Sequence, residues 1–252
     1  MNVNELGVFL KKFPIVDLEG MSEYSLMKRV ETKYLITFDD FIQFIQSCDS
    51  TYYVLEIEAK KIHRYNSRYF DTSDLKLYRD HHNGKKHRYK VRIRKYETSS
   101  ASFIELKRRM NTAETVKKRR SSEWREGLAK EDQSFLNKSI KLVNVEDLKL
   151  SLSNQYDRIT LLDKKSKERM TFDFNLKFFH NGKSENVDKF VIAELKQEKN
   201  GVSALKIQMK KQGLRPRSFS KYCTGIALMH PGVKKNYFKT NLMKINKWPV
   251  KD

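Results

Sequence analysis

The stretch HRYKVRIRKY, residues 87–96, carries Arg88, Lys90, Arg92 and Arg94 at every second position, with Tyr89, Val91 and Ile93 between them. Successive side chains of a strand point to opposite faces, so as a β-strand this segment has one cationic face and one apolar face. Taken alone, such a strand reads as a solvated outer face over a core. The same alternation recurs, however, along most of the chain. In RVETKYLI, Arg29, Glu31 and Lys33 share a face; in FIELKRR, Glu105 and Lys107 do; in QYDRITLL, Tyr156 and Arg158 do. In RMTFDFNL the set is Arg169, Thr171 and Asp173, and in VIAELKQE it is Glu194 and Lys196.

This period of two places strands at about 28–36, 62–71, 87–96, 102–109, 114–121, 155–162, 168–178 and 189–198. Helices are expected near 123–150 and 220–230, as one or two short amphipathic pieces within 1–27, and over FIQFIQSC with Asp39 or Asp40 as its cap. Eight strands and few helices predict an α+β fold: an eight-stranded antiparallel β-barrel, closed or nearly closed, with flanking helices. With no Pro/Gly/Ser-rich linker and no fixed repeat, a single domain over 1–252 is expected, its core about 28–222 and a basic extension at 232–252.

If the charged faces look outward, the barrel is an ordinary one with a charged skin. If they look inward, the lumen is polar and the apolar outer wall must be covered by helices. Carboxylates stand among the cations as Glu-x-Lys pairs (Glu31/Lys33, Glu105/Lys107, Glu194/Lys196), and the amphipathic segments need an apolar wall to pack on; both favour the inward arrangement. Two like charges about 6 Å apart repel by roughly 3 kcal/mol at a dielectric near 20, against a total stability of about 5–15 kcal/mol. A ring of inward cations must therefore hold water, counterions or a dense polyanion. Arg forks match phosphate oxygens bidentately and Lys adds point charges.

Composition agrees. Lys and Arg number 52 against 31 Asp and Glu, a net charge of +21, which calls for a polyanionic partner. No apolar run is long enough to span a membrane and MNVNELGVFLKKF lacks a signal-peptide layout, so a cytoplasmic protein is expected. Cys48 and Cys223 form neither a disulfide framework nor a zinc cluster, the six histidines have no ligand spacing, and there is no glycine-rich phosphate loop or G-x-S-x-G. Tyr65, Tyr69, Tyr78 and FFH at 178–180 are expected in the core or at the barrel rim. The end VKKNYFKTNLMKINKWPVKD reads as a solvated tail packing Trp248 on the barrel rather than a nucleic-acid contact, and no DNA partner is expected.

The series RVETKYLI, SRYFDTSDLKLY, YKVRIRKY, FIELKRR, VKKRR, YDR, RMTFDFNL, VIAELKQE and SFSKY resembles, in order, the VTC-type polyphosphate polymerase domain of the triphosphate tunnel metalloenzyme superfamily. The resemblance spans about 28–222 and implies a tunnel that holds ATP, another triphosphate or polyphosphate. It also implies a divalent ion, Mg²⁺ or Mn²⁺, on inner carboxylates. Carried over by residue, phosphate contacts fall on Lys33, Arg92, Arg94, Lys107, Arg119, Arg158, Arg169, Lys196 and Lys221, with hydroxyls from Tyr156 and Ser220. Glu194 is implied as the principal metal ligand, assisted by Glu31 and Glu105, while Arg88 and Lys90 widen the basic face toward one mouth. Arg92, Arg94, Arg158 and Arg169 would stabilise the transition state together with Glu194. A one-residue slip at 117–120, exchanging the faces of Lys117 and Arg119 with their neighbours, and the facing of Arg68 stay open.

Hydrolytic members of that superfamily tend to begin with Glu-x-Glu-x-Lys, whereas this chain has Arg29, Glu31 and Lys33. Hydrolysis needs a group that orients and deprotonates water; transfer onto a phosphate chain does not, because the acceptor oxygen is already anionic. The expectation is therefore a metal-dependent polyphosphate polymerase. An inorganic or nucleoside triphosphatase and a non-catalytic polyphosphate- or RNA-binding protein are the alternatives. Any coupling to export would require a separate membrane partner.

Overall fold

A computed structural model describes residues 3–22, 29–48, 52–110, 115–198 and 203–247, with the side chains of 3–5, 22, 29 and 246–247 left aside. Its centre is an antiparallel path of eight strands. In chain order the strands are β1 (Ile15–Val16), β2 (Arg29–Ile36), β3 (Tyr52–Leu55), β4 (His63–Asp71), β5 (Arg88–Tyr96), β6 (Ser102–Arg109), β7 (Thr115–Ser121), β8 (Lys149–Asp163), β9 (Arg169–His180), β10 (Lys183–Val187) and β11 (Val191–Glu198). The main path runs β2-β11-β9-β8-β4-β5-β6-β7, with β1, β3 and β10 added outside it.

The expected eight-stranded antiparallel sheet is thus present, curled into a half-barrel. Among the described residues no ladder joins β2 to β7. A cavity of about 950 Å³ opens between these edges, lined by Glu31 and Lys33 of β2, Lys107 and Arg109 of β6 and Thr115 of β7.

The apolar strand faces lie on the convex side, where helices cover them in two clusters. Besides the short α2 (Leu18–Ser22) and α4 (Lys76–His82), the helices α1 (Val3–Leu10), α3 (Phe38–Ser47) and α6 (Ala204–Lys211) pack Leu6, Phe41, Phe44, Leu205 and Met209 on Ile36, Ile159, Phe172, Ala193 and Leu195. The helix α5 (Lys130–Asn137) sets Leu136 on Val91, Ile93, Ile104 and Leu106. Truncating a side chain as enclosed as Leu136 costs about 2–5 kcal/mol, so this cover fixes which way β5 and β6 face.

Four sequence expectations are corrected. The helix expected over 123–150 is only α5, followed by a 3-10 turn at Val145–Asp147, because Lys149 already begins β8. The cap of α3 is Thr37, whose Oγ accepts the Asp40 amide at 3.0 Å while Asp40 accepts the Thr37 amide at 2.9 Å. Asp40 is thus the third residue of a capping box rather than the cap. The segment after 232 is no plain tail: Phe238 and Ile245 are buried against the core, the latter on α8 (Lys239–Lys247). Trp248 lies outside the described residues.

The helix expected at 220–230 exists as α7 (Lys221–Met229) but packs on the concave side instead of the outer wall. Tyr222, Cys223, Ile226 and Ala227 rest on Leu35, Tyr65, Tyr69, Leu152, Leu176 and Phe178. A Cβ on Gly225 would meet Leu152 Cδ2 at 2.4 Å and Phe178 Cδ1 at 2.6 Å, so only glycine allows this approach. The concave face is apolar in that part for a local reason. Asn175 has φ of 51°, and the β8–β9 register shifts between Gln155 and Asp157, so Leu176 and Phe178 turn inward where Phe172 and Phe174 turned outward.

Candidate active site on the concave face

Beyond the apolar seat of α7, the concave face is a network of cations organised by carboxylates. Asp173 on β9 receives Arg158 from β8, with Nη2 to Oδ2 at 2.8 Å, and the ammonium of Lys221, the first residue of α7. Burial alone would raise the Asp173 carboxyl; Arg158 and Lys221 reverse this and hold it at about 2. Glu105 on β6 accepts Arg92 Nε at 2.6 Å and forms ion pairs with Lys117 Nζ at 2.5 Å and Arg94 at 4.0 Å. Burial opposes ionisation there too, yet those cations hold Glu105 far below the usual carboxylate range.

The third centre crosses β2 and β11. Their register sets Glu194 against Lys33 and Lys196 against Glu31. Lys33 binds both carboxylates, at 3.2 Å from Glu194, and Lys196 also binds Glu194. Glu194 lies well below its ordinary value because Lys196 and Lys33 outweigh its burial. Glu31 is lowered as well: burial and the Glu194 charge raise it, but Lys33 and Lys107 outweigh them. On β9, Arg169 stands opposite Lys196 and helps burial to lower that ammonium.

Two fully enclosed hydroxyls, Tyr156 Oη and Thr171 Oγ1, have no hydrogen-bond partner within the protein. Lys221 Nζ lies 4.2 Å from the Tyr156 ring centroid. Donors left over beside Arg158, Lys196 and Lys221 suit an incoming oxyanion.

Beyond the Glu31–Lys33 pair, the cavity wall carries cations without such a partner. Among the described residues, Arg88, Lys90, Lys107 and Arg109 line it without a carboxylate within ion-pair distance. Lys90 donates to Ser220 Oγ, the cap of α7, at 3.0 Å, and its ammonium is lowered by burial first and then by Lys107. His81, also in the wall, is held neutral, at about 2, by burial together with Lys90 and Arg88. Arg215 and Arg217 of the α6–α7 connection complete the basic rim.

The register at β7 is settled by its partners. Lys117 reaches Glu105 and Arg119 lies over the Phe103 ring at 5.1 Å, so both face the concavity, whereas Arg120 binds Asp132 of α5 outside at 3.0 Å. Arg68 faces outward, stacked at 4.2 Å on Trp124. The structure also brings in residues that the sequence placed in no site: Asp173, Lys117, Ser67 and Tyr69, the last accepting from Arg92 at 3.4 Å. Asp173 was visible on the polar face of its strand, but it stands outside any Glu-x-Lys pair.

Among the described residues no three carboxylate, histidine or cysteine groups converge. Glu31 and Glu194 nevertheless adjoin across Lys33. Mg²⁺ is commonly held by one or two carboxylates with phosphate oxygens and water completing its shell, and this pair fits that pattern. Glu105 fits less well, being enclosed by Arg92, Arg94 and Lys117.

The model of the VTC domain family matches residues 28–230. Among solved structures, a candidate adenylate cyclase from Bacillus halodurans is similar at 14% identity and TM-score 0.49, over 77% of this chain and 94% of that one. A Hippeastrum protein, a candidate adenylyl cyclase described as having dominant triphosphatase activity, is similar at 11% identity and TM-score 0.46, over 80% and 96%. A Pyrococcus horikoshii protein is similar at 12% identity and TM-score 0.45, over 79% and 98%. No curated protein sequence matches the chain.

Proposed function

The chain belongs to the VTC domain family, and on that premise we propose that it is a metal-dependent polyphosphate polymerase that transfers the γ-phosphoryl group of ATP to a phosphate chain. The observation that carries transfer over hydrolysis is the state of the acids. Each of Glu31, Glu105, Asp173 and Glu194 is bound to at least one cation and held below its ordinary pKa. A general base for water works best with a pKa near the operating pH. None of these four meets that condition, and a terminal phosphate oxygen needs no deprotonation.

In this reading Arg92, Arg94, Arg158 and Arg169 hold the oxygens of the transferred group, with Tyr156 and Thr171 donating to them. Lys33, Lys107, Lys196 and Lys221 position the chain, and Arg88, Lys90 and Arg109 carry it through the uncompensated mouth. A chain-terminal oxygen attacks the γ-phosphorus in line; the bond to the β,γ-bridging oxygen breaks, and its electron pair leaves on ADP. A divalent ion on Glu194 and Glu31 would neutralise phosphate charge as a Lewis acid. Arg119 and Ser220 border the path.

No helix of the described residues is long and apolar enough to cross a membrane. We place the enzyme in the cytoplasm as one domain, with any membrane component a separate protein. The test is growth of a short polyphosphate primer with ATP and Mg²⁺ or Mn²⁺, resolved by chain length. Lengthening supports polymerisation, loss of ATP without lengthening supports a triphosphatase, and binding without turnover supports a non-catalytic binder.

A further inference from the structure

Along β5 and β6 the concave face is asymmetric. One end carries Arg88, Lys90, Lys107 and Arg109 at the cavity; the other ends in Tyr96 and Phe103. Tyr96 and Phe103 meet edge to face, with ring centroids 5.9 Å apart, and Tyr96 continues into Tyr65 at 5.0 Å and on to Tyr156 at 5.3 Å. The strip opens outward: Tyr156 and Tyr65 are buried, Tyr96 and Phe103 are half-buried, and Arg119 beyond them is exposed.

Phe103 is the anomaly. It shares its strand face with Glu105 and Lys107, belongs to none of the three apolar clusters, and meets the Tyr96 ring edge to face, with the Arg119 guanidinium 5.1 Å from its centroid. A half-buried aromatic ring beside an exposed cation, at the edge of a phosphate-binding face, offers the π surface that a nucleobase stacks on. Its register partner is Arg94, and Arg92 follows one same-face step further, about 7 Å along the strand. A base over Phe103 therefore directs its phosphates onto Arg94, Arg92 and then the Lys90–Lys107 mouth.

We propose that Phe103, with Tyr96 and Arg119, is a nucleobase platform that makes a nucleoside triphosphate, rather than inorganic tripolyphosphate, the donor, and that fixes its orientation with the base at the aromatic end. This rests on the tunnel holding a triphosphate, as the functional reading above requires, but not on which products form.

Calorimetric titration of the intact protein with ATP and with inorganic tripolyphosphate tests it. The unaltered protein binds ATP more tightly than tripolyphosphate. Phe103→Ala weakens ATP binding by about tenfold and leaves tripolyphosphate binding unchanged, while Phe103→Trp retains ATP binding. Equal affinity of the unaltered protein for the two ligands overturns the platform, as does an equal loss of both in Phe103→Ala. Failure of the polymerase reading appears elsewhere, as ATP preference without chain growth, and that outcome leaves the platform standing.

Discussion

Arg158 and Asp173 face each other across β8 and β9 and are joined through two parallel hydrogen bonds, the Nη2–Oδ2 contact at 2.8 Å. Asp173 also holds Lys221, so one buried carboxylate fastens the start of α7 to the cationic face. The polar face thus carries its own counterions, and a polyanion entering it meets cations already fixed in direction.

Replacing Asp173 with Asn leaves Arg158 and Lys221 buried without their charge partner. A loss of about 3 kcal/mol in unfolding free energy is expected, since breaking a buried pair typically costs 3–5 kcal/mol. Added tripolyphosphate should restore much of it by supplying the missing negative charge. Urea unfolding with and without tripolyphosphate measures both; a loss that the anion does not reduce contradicts the network.

Lys117 is drawn down from 10.5 to about 8: its side chain is 46% exposed, but its ammonium reaches in to Glu105, where partial loss of water, then Arg92 and Arg94, outweigh the pull of that carboxylate. Triphosphate affinity should hold below about pH 8 and fall above it, approaching tenfold per pH unit for one proton. Stability moves the other way: between about 8 and 10.5 the unfolded chain binds more protons, so the folded state gains as pH rises. Lys117→Arg keeps the charge and should flatten the binding profile. An unchanged profile removes Lys117 from it.

How far the sequence could reach is clearest on β5. Its strict alternation identified the cationic face because each inward residue is charged and each outward one apolar, and α5 then buries Val91 and Ile93. Arg68 stayed undecided because its stacking partner, Trp124, is distant in sequence. The inward turn of Leu176 and Phe178 was illegible because Asn175 and the β8 irregularity shift the alternation without a glycine to mark them. For the same reason the seat of α7 could not be foreseen. The segment 123–150 carries helical apolar spacing, yet Trp124 and Leu128 reach their cluster from a loop.

Glu194→Gln should lower kcat at least about 100-fold, some 2.7 kcal/mol of barrier, while metal-free binding of tripolyphosphate persists, because Lys33 and Lys196 remain. Steady-state turnover paired with calorimetry in chelator separates the two. Full turnover in this variant would exclude Glu194 from the mechanism.

At position 29 the chain has Arg where the Glu-x-Glu-x-Lys pattern expected of hydrolytic members would place Glu. Arg29→Glu adds an acid to β2 and should raise the share of ATP ending as free phosphate from minor to comparable with chain product. Quantifying both in one reaction checks it; an unaltered share contradicts the assignment.

In the proposed mechanism the four acids of the cationic network, Glu31, Glu105, Asp173 and Glu194, stay committed to cations and none of them activates water. The ratio of free phosphate to ADP, measured with the unaltered protein, ATP and Mg²⁺ or Mn²⁺, addresses it most directly. ADP far in excess of free phosphate, with the difference recovered in chains longer than three phosphates, is the predicted result. Equimolar ADP and free phosphate with no such chains would contradict it.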